Sequence, residues 1–182
     1  AIFSPSTFFV SISKEEDIKR TSIYLAIMLC VSFLLQLGSV LWIQPIFNKL
    51  FSSFVQMPVA TGELNPSFIL PSFINSVIIG FLVSLLFSTV IHFWLRLFTK
   101  SASWKKTYNL YVYSQTPVFL LSWLPLLNTI GWAYSIYLMV IGVQKIHKLD
   151  RRTALFVIVL PIALLFIVST LVMLIAFSNL KG

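Results

Sequence analysis

Between Lys106 and Lys145 lie 38 residues without a single charged side chain. As helix they would extend roughly 57 Å, about two crossings of a hydrocarbon core roughly 30 Å thick with almost no loop to spare. Inside this segment runs "YSQTPVFLLSWLPLLN", Tyr113 to Asn128, with prolines at 117 and 125 where a soluble helix would break. The stretch reads as one span, a re-entrant hairpin, or a turn between two spans. Composition restricts the setting: 58% of the residues are apolar and only 10% charged, whereas soluble domains are about a quarter charged. Long stretches have no polar face, which argues for a polytopic all-α membrane bundle over a soluble helical domain.

Three further runs are long enough to span. Thr21 to Ile43 is uncharged, Ser72 to Leu97 is uncharged until Arg96, and Thr153 to Phe177 is the cleanest. With the central segment as a tight hairpin the count is five, over about 21–43, 72–97, 108–125, 129–146 and 153–177, in one membrane domain of residues 1–182. The charges test this count. Lys14, Lys19 and Arg20 precede the first span. Arg96, Lys100, Lys105 and Lys106 surround the link from the second to the third, and Lys145, Lys148, Arg151 and Arg152 that from the fourth to the fifth. The other side receives only Lys49 and Lys181. Eleven against two is a strong positive-inside bias, placing the N-terminus in the cytoplasm and the C-terminus outside. A single crossing in place of the hairpin would mix the sides, while a re-entrant loop would preserve the parity.

Ahead of the first span, "SPSTFFVSISKEEDIKR" offers Ser4 as a cap and Pro5 for a first helical turn, with Phe8, Phe9 and Ile12 on one face. It reads as a short interfacial helix over about 4–18, the plainer alternative being a lead-in packed under the bundle. The link over 44–71 has mixed polarity and reads as an extracytoplasmic loop, with a surface helix over Ile46 to Val55.

Enzymatic signatures are absent: no phosphate loop, nucleophile elbow, paired-cysteine motif or His-Glu zinc helix. The acids Glu15, Glu16, Asp17, Glu63 and Asp150 all fall in flanks or loops, so no carboxylate pair in the membrane can relay protons or hold a coupling ion. His92 reads as a neutral, hydrogen-bonded residue near the inner end of the second span. His147, between Lys145 and Lys148, reads as solvated, and two histidines supply too few ligands for a metal. No cofactor is expected. Cys30 stands alone, which excludes an intrachain disulfide. The net charge of +8 comes without any basic-aromatic module for nucleic acid, so none is expected as a partner. No signal-peptide pattern is visible at the start.

Small residues carry a packing message. Ser76, Gly80, Ser84 and Ser88 recur every four residues and form one flat stripe, echoed by Ser22, Ala26 and Cys30 in the first span. Such stripes let helix backbones approach closely; a lipid- or substrate-lined groove is the alternative. Gln36, Asn75, Gln115 and Gln144 are amides able to bridge helices. Pro117 should bend the third span, with Ser114 and Gln115 at hand for the carbonyl it frees. Pro125, Asn128 and Gly131 read as an outer turn flanked by Trp123 and Trp132.

These residues, "YSQTPVFLLSWLP" followed by "GWAYSIYLMVIGVQKIHKLDRRTA", resemble the Yip family, five-span proteins named for interacting with Ypt/Rab GTPases. The features shared are a Tyr-x-x-x-Pro in the third span, a Trp-rich fourth span ending in Gly-x-x-x-x-His, and an Arg-Ala-like pair opening the fifth. Here they are Tyr113, Pro117, Trp132, Gly142, His147, Arg152 and Ala154, with Thr153 interrupting the last pair. The lead-in resembles that of prokaryotic members, which implies a multi-pass protein of a prokaryotic cell membrane. The resemblance associates eukaryotic relatives with vesicle trafficking through a long cytosolic N-terminal region. Only about 20 residues precede the first span here, so Rab-type GTPase binding does not carry over. What it implies is a non-enzymatic protein that organises membrane or scaffolds other membrane proteins. Lys100, Lys105, Lys106, Lys148, Arg151 and Arg152 are then the candidate contacts for anionic lipids, unless they only set topology. A small-solute or lipid transporter with a cavity at Pro117 and Gln115, and an accessory subunit of a larger membrane complex, are the competing readings.

Overall fold

The structure, a computed structural model, describes residues 4–13, 17–43, 45–46, 49, 66–100 and 102–179. It is all-helical, with no strand among those residues. Helix α1 spans Pro5–Ile12, α2 Ile18–Gly38, α3 Ile69–Arg96, α4 Trp104–Ser114, α5 Thr116–Leu121, α6 Pro125–Ile146 and α7 Arg151–Asn179. A π-helical turn, Ser39–Ile43, prolongs α2, and a 3-10 turn, Pro66–Phe68, leads into α3. The surface helix expected over Ile46 to Val55 falls almost wholly outside the described residues, as do Lys14, Glu15, Glu16, Glu63 and Lys181.

Local chemistry sets the helix starts. The Asp17 carboxylate accepts from the amides of Lys19 and Arg20 at 3.0 and 3.3 Å and so caps α2. Asp150 does the same for α7, accepting from the amides of Arg152 and Thr153 at 3.0 and 3.2 Å. Pro125 sits in the first turn of α6, where its missing N–H costs nothing. Asn128 and Gly131 therefore lie within α6, and the expected turn chemistry there is corrected. The turn itself is Ser122 to Leu124.

Side-chain pairings give the helix directions. Ser22 meets Tyr108, Tyr24 meets Thr116, and Ser32 meets Ser122, so α2 runs parallel to α4 and α5. Thr89 pairs with Trp104 and Phe87 stacks on Tyr111, so α3 runs antiparallel to α4. An added Cβ at Gly131 would lie 3.1 Å from the Pro117 carbonyl oxygen, and one at Gly142 would meet Leu110, so α6 returns antiparallel to α4 and α5. Helices α4 and α6 form the centre, where Leu110, Val112, Leu138 and Val143 are inaccessible to solvent. Helix α1 docks on α6 and α4 with Phe9 and Ile12 buried, packing into the bundle.

Among the described residues three helices are long and apolar enough to cross a membrane, over Ile18–Ile43, Pro66–Arg96 and Arg151–Leu174, and little of each is buried. On α3 the described buried residues are Ser84, Ser88, His92 and Leu95, while Ile78, Leu82, Leu86 and Phe93 face outward. On α3, an outward face more apolar than the inward one is the pattern of a helix turned toward lipid.

Candidate functional site

One end of the bundle collects the basic residues. The C-terminal ends of α3 and α6 and the N-terminal ends of α2, α4 and α7 meet there, bringing Lys19, Arg20, Arg96, Lys100, Lys105, Lys106, Lys145, Lys148, Arg151 and Arg152 together. Lys100, Lys105, Lys148, Arg151 and Arg152 are exposed and Lys106 is half-buried. The acids described at this end, Asp17 and Asp150, are engaged in their own helix caps, and Asp17 also pairs with Arg20 at 3.2 Å. The Asp150 carboxyl is held below its usual range by the hydrogen bonds from Thr153.

Beneath this surface the Thr107 hydroxyl joins three helices. Its oxygen lies 3.1 Å from the Ser103 carbonyl, 3.3 Å from His92 Nδ1 and 3.3 Å from His147 Nε2. A hydroxyl has one proton, so if it donates to Ser103, His92 Nδ1 and His147 Nε2 must each carry the proton donated to it. His147 is only 7% exposed, correcting its expected place in solvent. The physical reason is the end of α6: Lys148 takes a left-handed conformation, φ 56°, which turns the chain away and leaves the imidazole folded inward. Burial, then the proximity of His92 and of Lys106, pushes the His147 imidazole down to about 4. No cluster of three or more His, Cys, Asp or Glu occurs among the described residues, so this pair has too few partners for an ordinary metal site.

The bend at Pro117 is resolved differently from expectation. Proline 117 has no amide proton for the Tyr113 carbonyl, and that carbonyl instead accepts from the Thr116 hydroxyl at 2.7 Å. With its proton so committed, Thr116 Oγ1 accepts from the Tyr24 hydroxyl, also at 2.7 Å. Ser114 Oγ and Gln115 Nε2, expected to help here, are buried without a hydrogen-bond partner among the described residues. Tyr113 packs its ring against Phe8 and Tyr24. Trp132 is half exposed, and Pro125 and Arg152 serve helix starts.

The small-residue stripe of α3 faces the bundle: Ser84 and Ser88 are buried, and an added Cβ at Gly80 would lie 2.5 Å from Leu29 Cδ2. Toward the end away from the basic surface, α2, α3 and α5 part around a groove of about 240 Å³ lined by Ser32, Phe33, Gln36, Ser76, Phe119 and Ser122 among others. Gln36 Nε2 donates to Ser32 Oγ at 3.1 Å and to Ser122 Oγ at 3.5 Å, and the two serine oxygens are 3.3 Å apart. Local periodicity gives no signal for the links that Thr107, Thr116 and Ser122 make between helices, because those partners lie 15 to 92 positions away.

The model of the Yip1 domain matches residues 1–173. No match was found among curated proteins or solved structures. With long apolar helices that are largely exposed, and a family match across nearly the whole chain, this protein is a membrane protein belonging to the Yip1 domain family.

Proposed function

We propose that the chain is a non-catalytic five-span protein whose basic end lies at the cytoplasmic leaflet, where it organises the membrane or scaffolds proteins on it. The observation that carries this reading is the gathering of basic residues from five helix ends onto one surface, where the described acids are occupied in caps. Each near-surface cation contributes about 1 kcal/mol toward an anionic leaflet. In this reading α4 with α5, and then α6, are the third and fourth spans. Trp104 to Leu121 reaches roughly 27 Å and the 22 residues of α6 roughly 33 Å, each close to a core thickness. Their alternating directions agree with the parity of the charges, which sets the N-terminus inside and the C-terminus outside. The family is not known as enzymatic. A fourfold charge reversal, K105E/K106E/R151E/R152E, is expected to abolish retention of anionic lipid through purification; undiminished retention sinks the proposal.

The groove beside α5 favours a second reading in which the protein handles a lipid or small solute. Its described lining includes Val118, Phe119 and Ser122 but neither Pro117 nor Gln115, both of which are buried. That placement fits sideways access from the bilayer better than a path through the bundle.

A further inference from the structure

We infer that the groove between α2, α3 and α5 is a binding site for the glycerol-ester region of a diacyl lipid from the leaflet opposite the basic end. This rests on the membrane reading above for its depth, but not on the basic surface. Ser32 lies 14 residues into α2 from Ile18 and Gln36 four further on, roughly 21 and 27 Å along the helix. Measured from the basic end, that is the far part of a core roughly 30 Å thick, just below the opposite headgroups.

The chemistry of the lining selects the ligand. Gln36 can give two amide protons, and Ser32 and Ser122 one each. Bonds within the cluster use both amide protons and one hydroxyl proton. One serine proton and the Gln36 carbonyl remain for a guest. Ser76 does not compete, since its hydroxyl donates to the Phe73 carbonyl at 2.8 Å. Among the described residues the groove's lining holds no ionisable group with which to bind a phosphate, and its donor fits a neutral acceptor such as an ester carbonyl. Through Phe33 it adjoins a second groove of about 510 Å³ whose described lining is apolar, among it Leu34, Leu37, Ile69 and Phe73. A polar recess continuous with an apolar trough matches an ester group with its acyl chain.

The test uses the whole protein in phosphatidylcholine vesicles carrying a photoactivatable ester-linked phosphatidylcholine, its diazirine near the carbonyl end of the acyl chain. Ester probe is expected to label residues 29–36 and 118–122, and the ether-linked version about fivefold less, as loss of one ordinary hydrogen bond implies. Q36L/S122A should lower ester labelling by a similar factor. Equal labelling by ester and ether probes in the unaltered protein overturns the inference without any variant having to fold. So does ester labelling that S122L, which fills the recess, leaves unchanged. K105E/K106E/R151E/R152E separates the two readings: anionic-lipid retention reports on the basic end, and groove labelling on this site.

Discussion

Helices α3 and α4 lie antiparallel and in contact, yet they are built on opposite plans. Helix α3 is apolar along 28 residues and its described buried positions are mostly polar: Ser84, Ser88 and His92 beside Leu95. Helix α4 is 11 residues, too short to cross a membrane alone, with Thr107, Tyr108, Asn109, Tyr111 and Ser114 all buried. In water the more apolar helix would be the inner one. Here it is the outer one, because lipid tails reward an apolar exterior while helices adhere through close packing and side-chain hydrogen bonds. Helices α6 and α7 differ in burial rather than polarity: Ser135, Leu138 and Val143 of α6 are inaccessible, whereas Phe166, Val172 and Leu174 of α7 are exposed.

The comparison is broken most severely at the Thr107 hydroxyl. Thr107→Val strips a hydrogen-bond partner from two buried histidines at about 1–3 kcal/mol each, so a loss of about 2–6 kcal/mol is expected in detergent-solubilised protein. Thr107→Ser, which keeps the hydroxyl, should recover most of the melting temperature. An unchanged melting point for the valine variant would show that the three-helix junction contributes nothing.

Acidification probes the same junction. The folded protein keeps His147 neutral down to about 4, whereas an ordinary histidine takes up its proton near 6.5. The unfolded chain thus binds more protons between those values, and stability falls as pH drops from 6.5 to 4 and levels below. The expected loss is about 3 kcal/mol. In His147→Phe this slope should flatten, and a slope as steep as the parent's would contradict the burial of that imidazole.

A smaller effect is expected where the outer helix meets its neighbour. Gly80→Leu forces Leu29 aside and should cost about 1–3 kcal/mol, read as a lowered melting temperature. Phe166→Ala, on the outward face of α7, should stay within about 0.5 kcal/mol of the parent, since that side chain is 73% exposed and has little packing in the bundle to lose. A large loss there would mean that α7 is covered by protein rather than lipid.

The outer helices were legible because their signal is local. Charge-free runs of the right length, as at Thr21 to Ile43 and Thr153 to Phe177, report a lipid-facing helix without knowledge of any neighbour. The inner helices were harder to read for the converse reason. Whether His147 is solvated or buried depends on the backbone turn at Lys148 and on a hydroxyl 40 positions away, and neighbouring lysines pointed the wrong way. Pro117 announced a bend, but the group that heals it is Thr116 oriented by Tyr24, not the adjacent Ser114 or Gln115. Proline 125 was legible as a punctuator, yet it starts a helix where an extended turn was expected.

The central claim is that α3 and α7 turn long apolar faces to lipid while α4 and α6 are enclosed by the bundle. A hydrocarbon-soluble carbene reagent, photolysed in vesicles and mapped by mass spectrometry, tests it directly. Heavy labelling is expected on α3 and α7, at Leu86, Phe93, Phe166 and Val172, with little on α4 and α6 at Leu110, Val112, Leu138 and Val143. Labelling as heavy on Leu110 and Val143 as on Phe93 and Phe166 would contradict the account.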